Sequence, residues 1–241
     1  MKKIFFGLMM LSILSASAQV KKPVQTAKKP TIAATKPVAP KSKERLVEIT
    51  TDYGVIIAKL YDSTPKHRDN FIKLVQEKTY DSTLFHRVIT GFMIQGGDPT
   101  SKNADSTAQL GSGSLPGDRI PAEFRPNIIH KKGALAAARD GNPEKASSNC
   151  QFYIVQGKKT DTTQLRQIEQ NVKSNNPAFS YTKQQREIYE RIGGTPFLDQ
   201  NYTVFGEVIS GLDVIDKIAA VQTRPVDRPI RDVRMKMRLL N

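Results

Sequence analysis

The sequence predicts a mainly β domain, built as a barrel or sandwich with two helices at separated positions. Three observations carry this. Short runs rich in Val, Ile, Phe and Tyr recur along residues 45–239 and end at glycine or polar residues. Outside one polar insertion, only two stretches place apolar residues at helical spacing. Strands and helices do not alternate as a parallel sheet requires, and there is no glycine-rich phosphate loop and no internal repeat.

Two N-terminal stretches stand outside the pattern. Residues 1–18, MKKIFFGLMMLSILSASA, set two lysines before an apolar run from Ile4 to Leu14 and close on Ala16-Ser17-Ala18. This is the layout of a secretory signal peptide, with the cut expected after Ala18 and a periplasmic or secreted mature chain. The run is shorter than the roughly 20 apolar residues that span a bilayer, and no cysteine follows it to accept a lipid anchor. Residues 19–43 hold seven lysines and four prolines but no acidic or aromatic residue. Such a stretch buries too little apolar surface to offset its ordering entropy, so a disordered linker is expected, with the folded domain over 44–241.

In the folded part, Arg45 to Tyr61 reads as two β-rich runs broken at Asp52-Tyr53-Gly54, a hairpin. Pro65 follows Thr64 at the first position of a helix of about 14 residues, with Phe71, Leu74 and Val75 on one face. FHRVITGFMIQGGD, residues 85–98, is a second hairpin with Arg87 and Gln95 set into an otherwise apolar pair of runs. Residues 99–118 are rich in Ser, Gly, Asp and Thr without periodicity, a long surface loop of the kind that in a compact domain is either functional or disordered. GALAAARD (133–140), QFYIVQG (151–157) and YTVFGEVI (202–209) read as strands, DVIDKIAAV (213–221) as a second helix, and VRMKMRL (233–239) as a last, half-buried strand of period two. Residues 158–195 are polar and helix-prone, and are expected to form two surface helices near 163–173 and 182–192, an insertion with too few large apolar residues for a core of its own.

The net charge of +14 is mostly a property of the ends, with two charges in the leader and seven in the linker, which leaves +5 for the domain. No nucleic-acid partner is therefore expected. The basic linker suits a loose association with an anionic envelope surface, and the domain is expected to be a monomer. Cys150 is the only cysteine, so no internal disulfide can form, and its place inside an apolar run suits a buried, inert thiol. His67, His86 and His130 lack metal-ligand spacing. Neither a metal site nor a cofactor is expected. By strand alternation His86 should face away from Arg87 and be structural.

FHRVITGFMIQGGD resembles the signature of the cyclophilins, the prolyl cis/trans isomerases. IPAEF (120–124), GALAAAR (133–139), SNCQFYIVQG (148–157), LDQNYTVFGEV (198–208) and GLDVIDKI (211–218) follow in the order bacterial members show. The resemblance covers residues 44–241 apart from the insertion. It implies an eight-stranded antiparallel closed β-barrel capped by two α-helices. It also implies isomerisation of X-Pro bonds, here in unfolded or exported proline-containing polypeptides, with Arg87 as the catalytic group.

Such a reaction needs no nucleophile. Rotation of the amide meets a barrier of about 20 kcal/mol because resonance is lost on twisting, and a donor aimed at the proline nitrogen binds the twisted state more strongly than either planar one. Arginine keeps its proton at any physiological pH and presents several donors in one plane. By resemblance, Phe92, Met93, Tyr153 and Leu198 form the apolar pocket for the proline ring, with Phe197 and Tyr202 beside it. Gln95 and Gln151 match substrate-contacting glutamines, while the backbone of Ala138 and Arg139 matches a segment that pairs with bound peptide as an added strand. Taken singly, the aromatic and methionine residues would read as core.

The sequence departs from many eukaryotic members at Phe197 for tryptophan, Tyr202 for histidine and Arg139 for asparagine. Losing the indole N–H implies weaker binding of cyclosporin-type ligands with activity largely kept. The insertion precedes Phe197 directly, so its helices are expected to border the groove. The alternative function is a non-catalytic proline-peptide binding module or chaperone of the cell envelope, and retention of Arg87 together with Phe92, Met93 and Gln95 argues for catalysis.

Overall fold

The computed structural model describes residues 45–240. The expected signal peptide and linker lie outside the described residues. The domain contains eight antiparallel strands and four α-helices: β1 (Arg45–Thr51), β2 (Gly54–Leu60), α1 (Pro65–Gln76), β3 (Phe85–Ile89), β4 (Met93–Gly96), β5 (Ala134–Ala137), β6 (Phe152–Val155), α2 (Thr162–Lys173), α3 (Lys183–Arg191), β7 (Val204–Ser210), α4 (Leu212–Ala219) and β8 (Lys236–Leu240). Among the described residues no helix is long and apolar enough to cross a membrane.

β1 and β2 pair along their whole length, from Arg45 opposite Leu60 to Thr51 opposite Gly54. Val47, Ile49, Ile56, Ala58 and Leu60 face inward and are buried, as the period of two dictates. The strands form one sheet in the order β3-β4-β6-β5-β7-β2-β1-β8. Register shifts at Ile57/Ala58, Leu135/Ala136 and Phe85/Arg87 are β-bulges, which bend a strand and increase its twist.

The expectation of a closed barrel needs correcting, because the ladders end at β3 and β8 and leave a curled, open half-barrel. The two edge strands do not pair along their lengths. They meet at their beginnings, at the bridge between Leu84 and Arg234, where the N–H of Phe85, the first residue of β3, bonds to Val233 O at 2.9 Å and Met235 N–H, just ahead of β8, to Thr83 O at 2.9 Å.

The core inside the curl is aromatic at its centre. Phe71 of α1 lies 5.5 Å from Phe152 and 5.2 Å from Phe205, and Tyr80 lies 5.4 Å from Phe152. Each such ring contributes roughly 2–3 kcal/mol on leaving water. α1 packs on β7 and β8, and α4 on β2, β3 and β4, burying Val214, Ile215 and Ile218. Cys150 is buried, and burial raises its thiol pKa.

The N-terminus of α1 has no local cap, since Thr64 makes no side-chain bond to the helix. Glu123 supplies one from a distance. Its Oε1 accepts from Lys66 N–H at 3.2 Å and its Oε2 from His67 N–H at 3.0 Å and His67 Nδ1 at 2.7 Å, while His67 Nε2 meets Ser147 Oγ at 2.9 Å. An anion suits both the unpaired N–H groups and the positive end of the helix. Glu123→Ala is therefore expected to lower stability by about 2–3 kcal/mol. In urea melts the midpoint should fall with the slope unchanged, and a shift equivalent to under about 0.5 kcal/mol, the size of an ordinary surface change, would disprove the capping role.

Helices α2 and α3 fall where the insertion was expected. Leu165, Val172, Phe179, Tyr181 and Tyr189 cluster with Ile129, so the insertion completes its small core by packing on the β domain.

Candidate functional site

The β3/β4 hairpin opens the site. Its turn passes through Thr90, whose hydroxyl donates to Ala219 O at 2.6 Å, and Gly91 at φ +74°, a conformation glycine adopts without strain. Cross-strand pairing runs Phe85 with Gly96 and then Arg87 with Gln95, leaving His86 as the extra residue of the bulge. Alternation therefore fails at this point, and His86 and Arg87 line the same cleft, of about 710 Å³. This corrects the expectation that His86 faces away.

Nine of the expected site residues line that cleft: Arg87, Phe92, Met93, Gln95, Ala138, Arg139, Tyr153, Leu198 and Tyr202. Met93, Tyr153 and Leu198 are buried in a second apolar cluster, against which Phe92 and Tyr202 pack. Together they form an apolar cup in the cleft that Arg87 also lines.

Phe197 and Gln151 do not line the cleft. Phe197 is 53% exposed and stands at the rim, its ring 5.7 Å from that of Phe92. Gln151 is buried, and its side chain is engaged within the protein: Oε1 accepts from Gln95 Nε2 at 3.0 Å, while Nε2 donates to Gly111 O at 2.9 Å and Gly113 O at 2.8 Å. It orients Gln95 and holds the loop opposite.

At the candidate added-strand position, Ala138 N–H bonds to Gln151 O at 3.0 Å and Ala138 O accepts from Ser148 N–H at 2.8 Å. The backbone groups of Arg139 enter no hydrogen bond among the described residues. The Arg139 side chain is fixed by Asn201, through Nε to O at 3.2 Å and Nη2 to Oδ1 at 2.9 Å, and lies 4.5 Å above the Tyr202 ring.

Two walls of the cleft were not read from the sequence. Ser106 to Ser112 of the long loop form one, and Arg224, Pro225, Val226 and Arg228 form the other. Asp227 in the second wall accepts from Arg87 Nε at 3.3 Å. Val226 and Asp227 adopt left-handed φ values of +70° and +63°, and non-glycine residues in that region cost on the order of 1–3 kcal/mol each. They are held by Arg224 N–H to Arg228 O at 2.7 Å, and Arg228 Nη1 reaches across to Ala108 O at 2.7 Å, which joins the two walls. The prolines of TRPVDRP (223–229) were the available signal, marking a turn.

His86 is 3% exposed, and neither ring nitrogen has a hydrogen-bond partner among the described residues. Burial, only partly opposed by Asp98, brings its pKa down to about 4. The folded state therefore keeps His86 neutral, whereas the unfolded chain binds a proton below about pH 6.5. The stability due to His86 is complete above that pH and is lost as pH falls towards 4, amounting to about 2 kcal/mol by pH 5. His86→Phe is expected to shrink the difference in unfolding free energy between pH 7.5 and pH 5 by that amount, and equal pH slopes in the two proteins would disprove it.

Among the described residues no group of three or more His, Cys, Asp or Glu is placed to hold a metal ion. Chemically, the cleft offers a fixed cation, an amide donor at Gln95 and a concave apolar surface, with no activated nucleophile in reach.

The chain matches the family model described as cyclophilin type peptidyl-prolyl cis-trans isomerase/CLD over residues 46–238. A curated relative from Staphylococcus aureus (strain USA300), described as a putative peptidyl-prolyl cis-trans isomerase, is 35% identical over 188 residues, covering 78% of this chain and 87% of the relative. One of the same description from Staphylococcus saprophyticus is 32% identical over 189 residues, with the same shares covered. Among solved structures, a Cryptosporidium parvum cyclophilin type peptidyl-prolyl cis-trans isomerase superposes with a TM-score of 0.59 at 24% identity, covering 82% of this chain and 98% of its own. The same protein crystallised in the presence of the dipeptide Ala-Pro gives the same score over 81% and 99%.

Proposed function

The chain belongs to the cyclophilin-type peptidyl-prolyl cis-trans isomerases, and on that premise we propose that it isomerises X-Pro bonds in exported polypeptides, with Arg87 stabilising the twisted amide. Proline-containing peptides are what this family binds, and isomerisation is its activity. One observation carries the residue assignment: Arg87 and the cup of Phe92, Met93, Tyr153 and Leu198 share a single cleft. A proline ring seated in the cup is held still while the chain on one side turns, and the guanidinium serves the nitrogen whose lone pair is freed by twisting. Gln95, held by Gln151, is a donor for the neighbouring carbonyl. A backbone pair at Arg139 fixes the peptide register.

The substrate class follows from the N-terminal residues. A leader cut after Ala18 delivers the domain over 44–241 to the periplasm or beyond as a monomer, and the Lys/Pro-rich linker holds it loosely to an anionic surface. There it meets chains whose X-Pro steps take tens of seconds unaided.

The deciding experiment is two-dimensional exchange NMR on an Ala-Pro peptide with catalytic amounts of the wild type and of Arg87→Ala. The isomerase reading requires exchange cross-peaks with the wild type and their loss in the variant. Binding of the peptide by both, with no exchange from either, would establish the non-catalytic binding module instead. Mass spectrometry of the mature protein, beginning at Gln19, tests the export assignment.

A further inference from the structure

No residue of 158–195 lines the cleft, so the insertion does not border the groove as its place before Phe197 led us to expect. It reaches the cup by another route. Asp199, fully buried, receives four hydrogen bonds: from His130 N–H at 2.8 Å and His130 Nδ1 at 2.7 Å on Oδ1, and from Tyr181 OH at 2.7 Å and Tyr189 OH at 2.5 Å on Oδ2. His130 Nε2 then meets Tyr153 OH at 3.0 Å.

With a carboxylate at Nδ1, that nitrogen carries the proton, and Nε2 is left to accept from Tyr153. The chain therefore runs without a gap from two tyrosines of the insertion to the aromatic wall of the cup. Every member is at most 4% exposed, where a hydrogen bond is strong and an unpaired group costs most. Asp199 also follows Leu198 directly, so its placement fixes a second wall. Tyr202 closes on Tyr153 edge-on, with ring centroids 6.1 Å apart.

A plain phenyl wall would need none of this. The hydroxyl on Tyr153 gives the insertion a handle on the pocket, and Tyr181 and Tyr189 supply the other end. We propose that Tyr181 and Tyr189 are positioning residues for the isomerase, acting through Asp199 and His130 to hold the Tyr153 ring and Leu198 against the substrate proline. The inference rests on the isomerase reading above.

The test is a double-mutant cycle on the full chain. Tyr189→Phe is measured with Tyr153 present and again in the Tyr153→Phe background, reading kcat and KM on an Ala-Pro peptide and, separately, the ring resonances of 13C-labelled Tyr153. The expected result is a three- to tenfold rise in KM with kcat changed less than twofold when Tyr153 is present. In the Tyr153→Phe background, where the chain is already cut, the change should be under twofold. The labelled ring should shift on Tyr189→Phe. Equal fold-changes in both backgrounds, or none in either, or an unmoved ring resonance, would overturn the proposal, because a merely structural tyrosine acts additively on distant sites. Should Tyr189→Phe fail to fold, Tyr181→Phe carries the same cycle with the same outcomes. An inactive wild type would refute the isomerase reading alone, and the ring resonance would still decide the coupling.

Discussion

Arg87→Ala is expected to lower kcat/KM on an X-Pro peptide by about 10²–10³-fold, roughly 3–4 kcal/mol, the usual cost of removing one donor aimed at developing charge. The loss should fall on kcat. In the planar amide the proline nitrogen shares its lone pair with the carbonyl and is a poor acceptor. Only on twisting does it become a good one, so the guanidinium contributes little to ground-state binding, and KM should change by no more than about threefold. Arg87→Lys keeps the charge but gives up the planar fork and the Nε contact with Asp227, so it should recover only part of the rate. Asp227→Ala should cost far less, within about fivefold, because the pair is exposed, with 43% and 41% of the side chains accessible. Exchange NMR on each variant reads these values, and an Arg87→Ala rate equal to wild type would eliminate the mechanism.

Much of this site was legible because its chemistry sits on regular elements. The break at Asp52-Tyr53, Pro65 at the start of α1 and the polar, helix-prone composition of residues 158–195 each encode local geometry, and the structure places β1, β2 and α1–α3 within about two residues of those readings. Strand β8 begins at Lys236, three residues after the reading from Val233, since the chain ahead of it meets the segment before β3 and not a full strand.

What was not legible depends on contacts distant in sequence. The bulge at His86 is invisible to a period of two, which assumes an unbroken ladder. The pairing of Arg87 with Asp227 joins positions 140 residues apart, and two left-handed residues in a Pro-rich turn give no hint of which wall they build. Gln151 matched a substrate-contacting position, yet its amide is engaged by two glycine carbonyls that only the folded loop brings near.

Asp98→Ala is expected to cost about 3 kcal/mol of stability and to free the loop that walls the cleft. The carboxylate is fully buried. Oδ1 accepts from Thr100 N–H at 2.8 Å and Thr100 Oγ1 at 2.6 Å, and Oδ2 from Gly111 N–H at 2.6 Å and Gly113 N–H at 3.2 Å. Gln151 holds the carbonyls of the same two glycines from the other side, so the loop is clamped by its donors and its acceptors at once. Glycine is required here: a Cβ at Gly113 would lie 2.0 Å from Asp98 Oδ1. Truncation leaves three backbone donors to find water, at about 1 kcal/mol apiece.

Burial alone would raise the Asp98 pKa, but the bonds from Thr100, Gly111 and Gly113 outweigh it and hold the carboxyl below its usual value. Its stabilisation is therefore present above about pH 4, the unfolded value, and is lost as pH falls below that. Hydrogen exchange at the Gly111 and Gly113 amides is the direct measurement. Both should lose protection in Asp98→Ala at pH 7, and in wild type only under acid, while kcat/KM falls because Ser106 to Ser112 no longer face Arg87. Unchanged protection at both glycines would show that the loop is held without Asp98, by Gln151 and Arg228.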